Sequence, residues 1–183
     1  MKHAISRKQA ALVGTTAVVG AAVLWPSVAG ADPAGHSGGA VVVGSFTADR
    51  TEEAFVNNDA DPRPTLGDEL VYTNSSRGSL GRATEHGRCT LHEVQLAPAP
   101  ARATFACTAI SRLGRDSISF HGSLRATIVP PGQPPQLLEP SSWAVTGGTG
   151  RFARARGDVV ITTFEGAGLD FTTRGRVRLV LAP

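Results

Sequence analysis

Residues 117–128 read Ser117-Ile118-Ser119-Phe120-His121-Gly122-Ser123-Leu124-Arg125-Ala126-Thr127-Ile128. Ile118, Phe120, Leu124 and Ile128 fall on one face of an extended chain, and Ser117, Ser119, His121, Arg125 and Thr127 on the other. A period of two marks a strand with one dry face and one wet face. The C-terminal run repeats the pattern: Phe171, Val177, Leu179 and Leu181 oppose Thr172, Arg174, Arg176 and Arg178. No segment longer than about ten residues keeps apolar residues at i, i+3, i+4 and i+7.

Working outward from residues 117–128, short runs rich in Val, Ile, Thr and Phe recur between Gly, Pro, Asn and Asp. Eight such runs are predicted, at 40–47, 68–74, 80–95, 102–112, 117–129, 141–147, 156–165 and 169–182. One-sided strands joined by short turns indicate an antiparallel sheet. Eight of them favour an all-β, eight-stranded closed barrel, because closure removes the edges that would otherwise pair with other chains. Two connections are long: residues 48–67, which include Asn57-Asn58-Asp59-Ala60-Asp61-Pro62, and the proline-rich residues 130–140. Each reads equally as a binding rim or as a solvated connector.

The N-terminus reads as an address. Lys2, Arg7 and Lys8 precede an uncharged, mostly apolar run from Ala10 to Trp25, and Ala29-Gly30-Ala31 fits a cleavage site. Residues 1–31 are therefore expected to be a signal peptide, 32–39 a flexible lead-in and 40–183 the barrel domain. The alternative is an uncleaved anchor, although the apolar run is shorter than the ~20 residues a span needs. The whole chain has 18 basic and 15 acidic residues, and its pI near 9.4 invites a polyanion partner. Removing the three basic residues of the leader leaves fifteen of each, all the cations being Arg. The near-neutral remainder argues against a nucleic-acid binder, against stable membrane insertion after processing, and for an uncharged ligand.

Export also changes how the cysteines read, since oxidising compartments favour disulfides. Cys89 and Cys107 are the only pair, and Ala97-Pro98-Ala99-Pro100 lies midway between them. A hairpin turning there brings the two opposite each other and predicts a disulfide, the alternative being a free pocket thiol. Neither the cysteines nor the histidines have metal-ligand spacing, and no metal or cofactor is expected.

Thr146-Gly147-Gly148-Thr149-Gly150-Arg151-Phe152-Ala153 imitates a dinucleotide fingerprint, which works only between a strand and a helix. Here strand character resumes at once, so the glycines predict a tight turn. Glu85 is the sharper anomaly. Strict alternation from Cys89 and Leu91 sends its carboxylate into the apolar interior, where burial would raise its pKa and suit it to acid or base work. A bulge at Gly87 would instead turn it outward.

Several motifs resemble the allene oxide cyclase and dirigent protein superfamily, over about residues 65–182. Thr65-Leu66-Gly67-Asp68-Glu69-Leu70-Val71-Tyr72-Thr73-Asn74 is similar to the cyclases' Ser-Leu-Gly-Asp-Leu-Val-Pro-Phe-Ser/Thr-Asn segment, and Gly87-Arg88-Cys89 to their Gly-Leu-Cys. Gly114 to Gly122 resembles their Gly-His-Ile-Ser-Val-Gln-Gly strand. Ala144 to Phe152 is similar to both branches, and Ala153-Arg154-Ala155-Arg156-Gly157 leans toward the dirigent Ala-Arg-Gly.

The resemblance implies an eight-stranded barrel, and trimers as in the plant members. It places Asn74 and Cys89 at the cyclases' Asn and Cys positions. No Glu matches theirs in Val43–Arg50, and Leu124 stands where they carry a pocket Tyr. Dirigent proteins steer a reactive intermediate with acids near the barrel mouth, for which Asp59 and Asp61 are the counterparts by loop position. The combined expectation is an exported barrel that binds a hydrophobic small molecule and steers its cyclisation or stereoselective coupling. Glu85, Asp59 and Asp61 are its acid/base candidates, and Tyr72, Asn74 and Cys89 its ligand-binding candidates. The alternative is a non-catalytic carrier or secreted interaction module on the same barrel.

Overall fold

The computed structural model describes residues 39–59, 61, 63–129, 135–167 and 170–182. The expected signal peptide, the lead-in up to residue 38 and the centre of the proline-rich connection lie outside them. Eight strands follow in order: β1 (Ala40–Val56), β2 (Glu69–Gly78), β3 (Gly81–Gln95), β4 (Ala101–Leu113), β5 (Asp116–Ile128), β6 (Ser141–Thr149), β7 (Arg156–Ala167) and β8 (Asp170–Leu181). Each pairs antiparallel with the next, and β1 pairs with β8, so the sheet closes into a barrel. The all-β, eight-stranded antiparallel fold is the one the alternation predicts.

Alternation decides what fills the interior. Ile118, Phe120 and Leu124 of β5, Cys89 of β3, and Val177 and Leu179 of β8 are buried together with Trp143 and Phe152, and Leu91 of β3 is buried too. Three aromatic side chains reach across a glycine on the neighbouring strand. Tyr72 is paired with Gly87, Trp143 with Gly122 and Phe46 with Gly175. A methyl at any of these glycines would fall within 2.5 Å of the facing ring, so the missing Cβ makes room for a large ring on a tightly curved wall.

The structure differs from the expectation at β1, which runs to Val56 where residues 48–67 read as one long connection. Asp49, Arg50, Glu52 and Glu53 hide its second half from an apolar pattern, yet all pair with β2 or β8. The connection proper is residues 57–68. The Thr-Gly-Gly-Thr-Gly stretch ends β6 and leads into a single 3-10 turn, Gly150–Phe152, whose Phe152 is buried in the core. No helix follows it before β7, as the turn reading requires.

Candidate functional site

The register threads one polar rung through the apolar interior. Arg50 of β1 pairs with Asn74 of β2, Asn74 with Glu85 of β3, and Glu85 with Ser111 of β4. Side chains on one rung of a sheet share a face, and these hydrogen-bond in sequence. The Arg50 Nε–H donates to Asn74 Oδ1 at 2.8 Å, and Asn74 Nδ2 donates to Glu85 Oε1 at 3.0 Å. The Ser111 hydroxyl donates to Glu85 Oε2 at 3.1 Å. Among the described residues, no buried side-chain polar atom is left without a partner.

A β-bulge brings a further carboxylate to this rung. The register slips between Arg50 and Glu52, so Thr51 is the extra residue and Glu53 faces Tyr72. Residues three apart on a regular strand point to opposite faces. Here Arg50 and Glu53 both turn inward and form an ion pair through Nη1 and Oε2. The Arg50 guanidinium also lies 4.2 Å from the centroid of the Tyr72 ring, a cation–π distance.

Glu85 faces inward. No bulge occurs at Gly87, and the register of β3 against β4 slips only between Leu91 and Glu93, beyond Cys89. Burial holds the Glu85 carboxyl above its ordinary value, and the hydrogen bonds from Ser111 and Asn74, with the charge of Arg50, pull only partly the other way. The exposure it retains is toward a cavity that it lines. Tyr72 is pushed well up by burial and by the neighbouring Glu85 carboxylate, so it stays a neutral phenol. Burial lowers Arg50 while Glu53 opposes the shift, and a guanidinium remains a cation.

The cavity is a narrow cleft of about 60 Å³ that is open to solvent. Its walls include Phe46, Leu80, Ile118, Phe120, Val159 and Val177. Of the β3 residues that line it, Gly81 belongs to the β2–β3 turn and Glu85 lies furthest in, next to Ser111. The opening is therefore at the end carrying the β2–β3, β4–β5 and β6–β7 turns, with a carboxyl at the floor of an apolar cleft.

The sequence-predicted residues divide into three groups. Glu85, Asn74 and Tyr72 come together. Cys89 is bonded to Cys107 (S–S 2.08 Å), directly opposite it in the β3–β4 register, so it presents no free thiol. Asp59 and Asp61 sit on the 57–68 connection at the opposite end from the cavity opening, and the structure does not bring them to Glu85. Asp59 accepts from the Thr65 hydroxyl at 2.7 Å, and Asp61 binds Arg63 through both oxygens. That hydrogen-bonded pairing lowers Asp61 to about 2.

Sequence reasoning missed Arg50 and Ser111. Both lie on strand faces that carry mixed residues, and only the register makes them neighbours of Glu85. Among the described residues, no three His, Cys, Asp or Glu side chains converge as a metal site, and no helix is long and apolar enough to cross a membrane.

No family model and no curated protein matches the sequence. Solved structures do match the fold. A pyocyanin demethylase superposes with a TM-score of 0.53 at 18% identity, over 76% of this chain and 100% of that one. Two pterocarpan synthase dirigent proteins, PsPTS1 and GePTS1, each superpose with a TM-score of 0.54 at 15% identity. They cover 81% and 83% of this chain and 99% and 94% of their own. At these identities the likeness is one of fold, a barrel of the dirigent type.

Proposed function

We propose that this barrel binds a hydrophobic small molecule in the cavity that ends at Glu85, and steers its cyclisation or coupling. The supporting observation is a carboxyl with a raised pKa at the floor of an apolar cleft, braced by Asn74 and Ser111. Apolar walls fix one folded conformer of a flexible ligand, and a few polar groups then place charge. Protonated, Glu85 can donate to a ligand oxygen on which charge develops. Ionised, it can take a proton from a ligand hydroxyl and later return it. Tyr72 and Asn74 are its positioning groups, and no cofactor is invoked. Asp59 and Asp61, held by Thr65 and Arg63 at the far end, take no part in this reading.

The solved neighbours named as a demethylase and as pterocarpan synthases lend the fold a precedent for small-molecule chemistry. The leader-like N-terminus and the Cys89–Cys107 bridge support an extracytoplasmic location. A trimer is proposed from the family resemblance alone.

Incubating the protein with lipophilic polyene and phenolic extracts tests the reading. Retention of a ligand, with turnover lost in Glu85→Gln, is the expected result, and recovery of no ligand overturns it. Retention with Glu85→Gln indistinguishable from wild type favours a non-catalytic carrier, a reading supported by the locked Cys89 thiol and the narrow cleft.

A further inference from the structure

The barrel is close to neutral as a whole, yet its charge is segregated along its axis. Arg77 and Arg82 flank the β2–β3 turn, and Arg112 and Arg115 the β4–β5 turn. Arg151, Arg154 and Arg156 follow on the β6–β7 connection. Arg176 and Arg178 extend the set along the C-terminal half of strand β8, and all of these side chains are exposed. Among the described residues, the outward carboxylates facing them are Asp116, which binds Arg151 at 3.2 Å, Asp158, and Asp49 further along β1. Glu85 is enclosed in the cavity. The opposite end carries Asp59, Asp61, Glu69, Glu93 and Glu139, three of them paired with Arg63, Arg88 and Arg125, while Asp68 there is buried.

The basic end is the end at which the cavity opens. Its surface is not wholly polar: Val41 and Val43 at the start of β1 stand 57% and 68% exposed beside Arg176 and Arg178. The chain also enters β1 here, at Ala40. The acidic end exposes more apolar surface, including Phe55, Leu66 and Leu96, but its carboxylates would be repelled by an anionic layer.

We infer that the turns around the cavity opening dock on an anionic lipid bilayer, so that the opening faces the apolar phase from which a hydrophobic ligand is drawn. The docking stands on charge placement alone. Only the loading step rests on the ligand-binding reading above. Each guanidinium near such a surface contributes roughly fivefold in partitioning at physiological salt, and the attraction fades over a Debye length of about 8 Å. A soluble polyanion is the competing occupant of the same arginines.

The test uses the full chain with vesicles of equal parts phosphatidylglycerol and phosphatidylcholine, and with pure phosphatidylcholine vesicles. Wild type should co-sediment with the first and not the second, and should be released in high salt. Arg82→Glu/Arg115→Glu/Arg154→Glu, on exposed turn positions, should bind at least about tenfold more weakly, with an unchanged circular dichroism spectrum and melting temperature. Should that variant fold poorly, the salt titration of wild type on the same vesicles gives the same reading. Equal binding to neutral vesicles, undiminished binding by the variant, or capture by dextran sulfate without vesicle binding would each overturn the proposal. Ligand retention measured without vesicles tests the cavity separately, so failure of one reading is not confused with failure of the other.

Discussion

The Tyr72 ring occupies the space a side chain at Gly87 would need. A methyl there would fall 2.1 Å from the ring Cζ and 2.3 Å from the hydroxyl oxygen. Gly87 separates the inward Glu85 from the inward Cys89, so the ring is packed between the polar rung and the disulfide. Gly87→Ala should therefore lower stability by about 1–3 kcal/mol through overpacking. Tyr72→Ala in the same chain should recover part of that loss, because it removes the clash. Chemical denaturation of the two single variants and the double variant measures the coupling. Additive effects would show that the ring and the glycine are independent.

Glu85 gives the fold a signed pH dependence. Its folded value is raised above the ordinary 4.5, so between the two values the native state holds a proton that the unfolded chain has lost. Stability is full below the unfolded value and falls as pH rises through the folded one. Glu85→Gln should flatten this slope, and the variant should gain on wild type as the buffer is moved from about pH 4 toward pH 8. Urea midpoints across that range decide it. A parallel slope in the two proteins would mean that another group is responsible.

Much of this architecture is legible in the chain because one-sided strands repeat a period of two. The runs at 80–95, 102–112 and 117–129 agree with β3, β4 and β5 to within a residue or two at most ends. The pairing of Cys89 with Cys107 followed from a turn midway between them, and Glu85 from alternation carried through Gly87. The second half of β1 was hidden because its inward residues are Arg50 and Glu53, whose partners come from β2 and from each other. A period read from hydropathy cannot count a charged side chain as interior. The charge segregation was hidden for a related reason: a net charge of zero says nothing about which turns share one end of a barrel.

The disulfide should be resistant to reduction while the barrel is intact. Cys107 has no exposed surface and Cys89 only 1%, so a reductant needs an opening of the β3–β4 pair to reach either sulfur. Mass spectrometry after thiol labelling should show no uptake in native buffer with dithiothreitol and two labels in denaturant. Cys89→Ala/Cys107→Ala should cost about 3 kcal/mol, since the closed loop spans a separation of 18 residues. Rapid native labelling would place the bridge in a locally unfolding segment.

Arg50 couples the stability of the rung to the titration of its floor. Removing the guanidinium strips Asn74 Oδ1 of its donor and leaves Glu53 facing Tyr72 without its cation. Arg50→Ala should cost about 2–3 kcal/mol, less than a fully sealed pair, because Glu53 keeps 19% of its side-chain exposure. Arg50→Ala/Glu53→Ala should recover part of this by deleting the unpaired carboxylate. A second consequence separates an electrostatic role from a packing one. The Arg50 charge favours the ionised form of Glu85, so without it the Glu85 value rises further and the loss of stability with pH shifts to higher pH. Arg50→Lys, which keeps the charge and loses the planar fork, should hold the wild-type pH window while still weakening the bond to Asn74. Should Arg50→Ala destabilise without moving that window, the guanidinium acts on Glu85 only through packing.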